Sequence, residues 1–293
     1  MKKNKNRKGI ILSGGSGTRL FPSTLVISKQ LLPIYDKPMI YYSLSVLMLA
    51  GIRDILIIVT PKDLNLFKNL LGNGKDWGIK LNYIVQEKPN GIAQALILSE
   101  KFLNGSPSLL ILGDNIFYGS ELEKILTSLS KKKTKGATIF AYHVNNPKDY
   151  GVISFDNKNN VKEIIEKPNN PKSNYVVTGL YFYDNNASKF AKRLIPSKRG
   201  ELEITDLNKK YLSSNTLKVV RLGRGNAWLD TGSHETLLEA NNFIYNIEKR
   251  QGLKICCPEE IAYRKGWISK KKLNEIVKPF LKNAYGKYLK NIR

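Results

Sequence analysis

Between residues 9 and 144 the chain alternates two hydrophobic textures. Short runs that are apolar at nearly every position, GIILSG (9–14), DILIIVT (54–60), KLNYIVQ (80–86), SLLILGDN (108–115) and ATIFAYHV (137–144), predict strands covered on both faces. Between them, residues 38–50, 64–71, 92–103 and 121–130 return apolar side chains every three or four positions and predict helices. Gly51 follows the first of these where a helix C-terminus favours glycine. Apolar strands separated by helices imply a largely parallel sheet with helices on both faces. Right-handed crossovers then place the strands' C-terminal ends, and the loops beyond them, on one edge.

After residue 145 the pattern changes. GVISFD (151–156), VKEIIEKP (161–168) and YVVTGLYFYD (175–184) are strand-like runs joined by turns rich in Asn, Lys and Pro, which predicts an antiparallel insertion. Helical spacing returns at 187–194 and 204–212, followed by a strand LKVVRLG (217–223), the segment AWLDTGS and a long amphipathic helix over 233–251. The chain from Pro258 reads as further helices. With no internal repeat or low-complexity linker, the expected division is a single domain over 1–293, with a basic extension at 1–8 lacking order and a helical part from about 233.

Composition narrows the function. A chain of 293 residues supports a sizeable core without covalent staples. It holds no apolar run of the ~18 residues that would cross a bilayer, and GIIL is too short for a signal-peptide core. The two cysteines, Cys256 and Cys257, are adjacent, which suits neither a disulfide nor zinc and fits a reducing cytoplasm. The net charge of +24 is carried mostly by lysines scattered along the chain, with short clusters at 131–133 and 270–272. That distribution describes a solvated surface more than a dedicated nucleic-acid face, while still drawing small anions toward the molecule.

The chemistry begins at GGSGTRL, directly after the first strand. A dinucleotide fingerprint needs a third glycine where Leu20 stands, and a Walker A loop needs Lys directly after its last glycine, where Thr18 and Arg19 stand. Neither loop is present. Glycines nevertheless let backbone N–H groups approach a phosphate closely. Arg19 can fork across phosphate oxygens and Lys29 adds a point charge, with Phe21-Pro22 stopping a helix between them. Asp114 and Asp230 each end a strand-like run, SLLILGD and AWLD. Either alone could be a capping aspartate, but together beside a triphosphate they suit Mg²⁺, which takes one or two carboxylates plus phosphate oxygens. Glu166-Lys167, read alone, is an exposed ion pair, and Trp228, among apolar neighbours, a core residue.

GGSGTRL followed by SKQLLPIYDKPMIYY resembles the signature of the sugar nucleotidyltransferases. LGDNIFYG, YGVISFD, EKPNNPKSNYVVTGLYFYD, RGELEITDLN and GRGNAWLDTGSHETLLEA are similar to the family's thymidylyltransferases, in register from about Lys8 to near the C-terminus. The resemblance implies an α/β fold, a Rossmann-like nucleotidyltransferase sheet with an antiparallel sugar-binding insertion and C-terminal helices. It implies Mg²⁺-dependent transfer of the thymidylyl group of dTTP to glucose 1-phosphate, the first step toward dTDP-rhamnose and related deoxysugars. Carried over to matching positions, Gly14, Gly15, Ser16, Gly17, Thr18 and Arg19 form the phosphate loop, and Gln30, Gln86 and Gly91 contact the base. A glutamine amide can pair with both a carbonyl and an N–H of a pyrimidine. Asp114 and Asp230 hold the metal, and Arg19, Lys29, Asp114, Lys167 and Asp230 carry catalysis. Tyr150, Gly151, Glu166, Lys167, Val177, Thr178, Gly179, Arg199 and Trp228 bind the sugar phosphate. Glu87 departs from the family pattern, where relatives often have an uncharged residue, as does Ser13 in place of a usual alanine. The attacking phosphate is already ionised at neutral pH, so no general base is needed, in keeping with two unpaired histidines, His143 and His234. The resemblance also implies a homotetramer and a second nucleotide-sugar site near EEIAYR (259–264). The alternatives are a uridylyltransferase making UDP-glucose and a catalytically silent binder of nucleotide sugars.

Overall fold

The computed structural model describes residues 6–132 and 135–292. Its strands are β1 (Lys8–Ser13), the two-residue pair β2 (Pro33–Ile34) and β3 (Lys37–Pro38), β4 (Asp54–Val59), β5 (Lys80–Val85), β6 (Ser108–Leu112), β7 (Asn115–Gly119), β8 (Ala137–His143), β9 (Gly151–Phe155), β10 (Val161–Glu166), β11 (Tyr175–Tyr183), β12 (Leu217–Arg221) and β13 (Asn226–Asp230). The helices are α1 (Ile40–Leu49), α2 (Leu64–Leu71), α3 (Gln94–Leu98), α4 (Glu100–Leu103), α5 (Leu122–Lys131), α6 (Ala187–Ala191), α7 (Ile204–Ser213), α8 (His234–Gln251), α9 (Pro258–Arg264), α10 (Lys270–Val277) and α11 (Ala284–Lys290).

The main sheet runs β10-β9-β11-β6-β1-β4-β5, with β8 on β11 and β12 on β8. Strands β6, β1, β4 and β5 are mutually parallel, as the strand–helix alternation predicts. Strand β11 lies antiparallel to β6 and brings the insertion against the parallel half. The period of two decides the packing. Ile11, Ile57 and Ile111 point into a core with α1, α2, α5 and α9 to α11, while Ile10, Leu56 and Leu110 point into a second core with α3, α4, α6 and α7. A third cluster, Ile34, Met39, Ile116, Ala240 and Ile244, seats α8 on β2 and β7. Ser233 caps α8 by accepting from the Thr236 N–H, in a reciprocal capping box.

Three expectations change. The run 108–115 is not one strand: β6 ends at Leu112, the chain turns at Gly113 and Asp114, and β7 pairs with β13 in a separate ribbon. A Cβ at Gly113 would stand 2.4 Å from Ser13 Oγ, so only glycine passes this corner. The helix expected over 92–103 is broken at Ser99 into α3 and α4. Of the extension expected to lack order, residues 1–5 lie outside the described residues, but Arg7 and Lys8 belong to the fold. Arg7 is buried and donates to Ser108 O at 2.7 Å and Tyr183 O at 3.0 Å, and Lys8 opens β1. Among the described residues no helix is long and apolar enough to cross a membrane.

Candidate functional site

Strand β1 delivers the glycine loop to the C-terminal edge of the sheet. Gly17 has φ +62°, a left-handed conformation that favours glycine. Gly14 meets a second constraint, since a Cβ there would come 1.9 Å from Gln86 Oε1. The Thr24 hydroxyl donates to Gly17 O at 2.7 Å and closes the turn. Arg19 and Lys29 each sit in a single 3₁₀ turn, Thr18–Leu20 and Lys29–Leu31, rather than in the irregular chain expected. Residues 14–20, Lys29, Gln30, Asp114 and Gly232 line a cavity of about 230 Å³. The exposed Arg19 guanidinium lies beside Gly232, where an added Cβ would already be 3.4 Å from both terminal nitrogens.

The two aspartates converge. In the β7–β13 ribbon Asp230 is the register partner of Asn115, and the Thr231 hydroxyl donates to Asp114 O at 3.0 Å. Lys29 Nζ lies 2.8 Å from Asp114 Oδ2, and Asn115 Nδ2 donates to Asp114 Oδ1 at 3.0 Å. Burial alone would raise the Asp114 carboxyl, but the Lys29 charge and the bonds from Lys29 and Asn115 together hold it below the ordinary value. The Tyr150 hydroxyl donates to Asp230 Oδ2 at 2.8 Å, and burial, reinforced by that carboxylate, pushes the phenol up. Asp114 lines the cationic, glycine-lined cavity and Asp230 is in register with the residue that follows it, a pair of carboxylates whose chemistry fits a hard divalent ion that also takes phosphate oxygens.

Asn115, absent from the sequence expectations, joins this corner to the insertion. Its Oδ1 accepts from the Gly179 N–H at 3.0 Å and from Trp228 Nε1 at 2.7 Å. A Cβ on Gly179 would be 2.4 Å from that oxygen. The approach is made by a bulge: β11 pairs with β8 through Val177↔Ala141 and next through Tyr181↔Ile139, so β11 carries two extra residues around Thr178 and Gly179. Trp228 is buried, as its apolar neighbours predict, and packs edge-on to Tyr150 at 5.4 Å.

Around the sugar-phosphate candidates, Glu166 accepts from the Thr205 hydroxyl at 2.5 Å and lies 3.5 Å from Arg199 Nη2. Arg199 itself is turned chiefly to Glu203, at 2.8 Å. Gly151 leaves room for this contact, as a Cβ there would stand 3.0 Å from Thr205 Oγ1. Lys167 does not pair with Glu166. It is exposed, it adopts φ +42°, unusual for a side-chain-bearing residue, and no carboxylate partners it among the described residues. An ammonium held out by strained backbone beside a carboxylate committed elsewhere departs from the surface-pair alternative.

On the base side, Gly91 has φ +98° and a Cβ there would strike the Leu202 backbone at 2.5 Å. Gln30 accepts from Ser28 Oγ at 2.6 Å. The Gln86 amide is oriented by its neighbour, its nitrogen donating one N–H to Gln94 Oε1 at 2.6 Å. Glu87 points to solvent. His234 Nε2 lies 3.1 Å from Phe21 O and His143 packs on the Tyr175 ring, so neither imidazole is placed for proton transfer. Beyond the expected residues the structure adds Asn115, Thr205 and Gly232, whose partners are distant in sequence, and Glu203 and Gln94, whose partners lie within a few residues along the chain.

Residues 8–247 match the family model of nucleotidyl transferases. The chain is 59% identical over 283 residues to the glucose-1-phosphate thymidylyltransferase of Xanthomonas campestris pv. campestris, covering 97% of this chain and 96% of that protein. It is 57% identical over 282 residues to the enzyme of the same name from Neisseria meningitidis serogroup A, covering 96% and 98%. Among solved structures, a Bacillus anthracis protein described as a glucose-1-phosphate thymidylyltransferase in complex with sucrose matches with TM-score 0.75 and 41% identity, over 81% of this chain and 94% of that one. A UDP-glucose pyrophosphorylase bound to UDP-glucose matches with TM-score 0.70 at 24% identity, over 83% and 100%, a likeness of fold.

Proposed function

The chain belongs to the nucleotidyl transferase family, and on that premise we propose that it transfers the thymidylyl group of dTTP to glucose 1-phosphate, giving dTDP-glucose and pyrophosphate. A phosphate oxygen of the sugar phosphate attacks the α-phosphorus, a new P–O bond forms, and the bond to the β-phosphate breaks. Two anions must meet, so positioning and charge compensation carry the rate rather than covalent catalysis by the protein.

The observation that carries this reading is the glycine-lined cavity shared by Arg19, Lys29 and Asp114, with Asp230 in register beside Asn115 on the adjoining ribbon. Backbone N–H groups of residues 14–19 cradle the triphosphate, and Arg19, without an ion pair of its own among the described residues, forks across the departing pyrophosphate. Lys167 neutralises the sugar phosphate, and Glu166 accepts sugar hydroxyls on a carboxylate oriented by Thr205. Tyr150 and Trp228 wall the sugar side. Asp114 and Asp230 would hold a divalent cation, Mg²⁺ in this reading, which supplies charge compensation at the phosphates when bound.

The test is a matrix of nucleoside triphosphates against sugar 1-phosphates with Mg²⁺, read as pyrophosphate release. dTTP with glucose 1-phosphate is the expected best pair. UTP as the best donor would make this a uridylyltransferase, and no release from any pair would leave a silent binder. Light scattering is expected to give four copies per particle.

A further inference from the structure

We infer that Gln94 fixes the sense in which Gln86 reads the nucleobase, and thereby makes the pocket accept thymine or uracil and reject cytosine. The inference rests on the proposed function and on the base contact that the family resemblance implies for Gln86. It starts from a backbone donor. The N–H of Asn90 can only donate; shared with Lys88 O at 2.9 Å, it reaches the side-chain oxygen of Gln94 at 3.0 Å. That identifies which end of the Gln94 amide is oxygen. The same oxygen lies 2.6 Å from the end of Gln86 that faces it. Two carbonyl oxygens would repel at that separation, so Gln86 turns its NH₂ to Gln94. Its own Oε1 is left on the opposite side, against Gly14 of the phosphate loop. Gln86 is 3% exposed and its main-chain N–H is tied to Val59 O at 2.8 Å, so the side chain has little freedom to reorganise.

With one N–H of its NH₂ given to Gln94, Gln86 turns its Oε1, an acceptor, to the opposite side, and it is this oxygen that it offers to the N3 edge of a base. Thymine and uracil present an N3–H donor flanked by carbonyls, which that acceptor satisfies. Cytosine presents an unprotonated N3, whose lone pair would face Oε1 with no proton between them. Gln30 has the matching polarity: its oxygen is occupied by Ser28 and its NH₂ has no protein partner among the described residues, so it is a donor suited to a base carbonyl. Without an acceptor at position 94, the Gln86 amide could turn over and serve either base. Gln94 is therefore a positioning residue acting through Gln86.

The experiment compares Gln94→Met, which removes the acceptor at similar volume, with Gln94→Glu, which keeps one. Calorimetric titration with dTTP and with dCTP, without sugar phosphate, reads discrimination apart from turnover. The wild type should bind dTTP roughly 10- to 100-fold more tightly than dCTP. Q94M should bring the two to within about threefold, by weakening dTTP and strengthening dCTP. Q94E should retain the wild-type ratio, and neither variant should move the KM for glucose 1-phosphate. Equal loss of both nucleotides in Q94M, an unchanged ratio in Q94M, or a collapsed ratio in Q94E overturns the inference, and the Q94E arm stands alone should Q94M not fold. If the wild type releases pyrophosphate from dTTP while Q94M still discriminates, the inference fails and the proposed function stands. If the wild type neither binds nor turns over dTTP, both fail.

Discussion

Replacing Lys29 with Met separates its charge from its volume. In the native protein the ammonium lies 2.8 Å from Asp114 Oδ2, with the two side chains 10% and 29% exposed. Unit charges about 4 Å apart attract by about 4 kcal/mol at an effective dielectric of ~20, but desolvating both partners offsets much of this. The variant keeps the desolvation of the carboxylate and loses the attraction. Breaking a fully buried pair in this way costs roughly 3–5 kcal/mol; with Asp114 partly open to solvent, about 2 kcal/mol is the expected loss at pH 7. The pH dependence distinguishes charge from packing. Burial pushes the native Asp114 carboxyl up, but Lys29 and the hydrogen bonds outweigh it and hold the group below its ordinary value. A depressed folded-state pKa contributes stability that is present above the unfolded value of about 3.9 and lost as pH falls through the folded one. In Lys29→Met burial prevails, so the carboxyl titrates higher and that contribution disappears. The stability gap between wild type and variant should be widest near pH 7, shrink as the variant's carboxyl protonates, and close only as pH falls through the depressed native value, below about 3.9. Urea unfolding without nucleotide or metal, at several pH values across that window, measures it. A gap of constant size would refute the electrostatic account and leave a packing defect in its place.

Asp114→Asn and Asp230→Asn should each abolish the rise in melting temperature that Mg²⁺ gives the wild type and lower turnover at least about 100-fold; a retained Mg²⁺ shift in either variant would remove that residue from the metal site. Lys167→Ala should raise the KM for glucose 1-phosphate about tenfold and leave that for dTTP unchanged, because the ammonium meets one substrate only. Equal effects on both would reject its assignment to the sugar phosphate. Ser13→Ala should stabilise the protein by about 1 kcal/mol, seen as a melting point roughly 2 °C higher, because the Ser13 hydroxyl is buried without a hydrogen-bond partner among the described residues. A lower melting point would mean that the hydroxyl is paired in solution.

The parts of the fold legible in the sequence are those decided locally. Strands β1, β4 and β6 are buried on both faces, so their composition alone marks them, while the edge strand β5 is only half-buried, and the glycine loop follows from where β1 ends. The corner at Gly113 and Asp114 is not local. Apolar residues continue on both sides of it, and what restricts the corner to glycine is the closeness of Ser13 on the neighbouring strand, at 2.4 Å from a would-be Cβ. Asn115 is the sharper case. It is one polar residue after an aspartate, yet it bonds Asp114, Gly179 and Trp228, the last two 64 and 113 residues away. Nothing in its neighbours signals those partners, because they exist only once the bulge in β11 and the β7–β13 ribbon have formed. The same bonds give the site its logic. The phosphate corner belongs to the parallel half of the sheet and the sugar candidates to the antiparallel half, and a reaction between two phosphates requires the halves to keep a fixed separation. A side chain whose oxygen holds the insertion while its nitrogen orients the Asp114 carboxylate supplies that constraint directly. Gly179 is glycine for a reason that belongs to Asn115, since any larger residue would push the two halves apart at their point of closest contact.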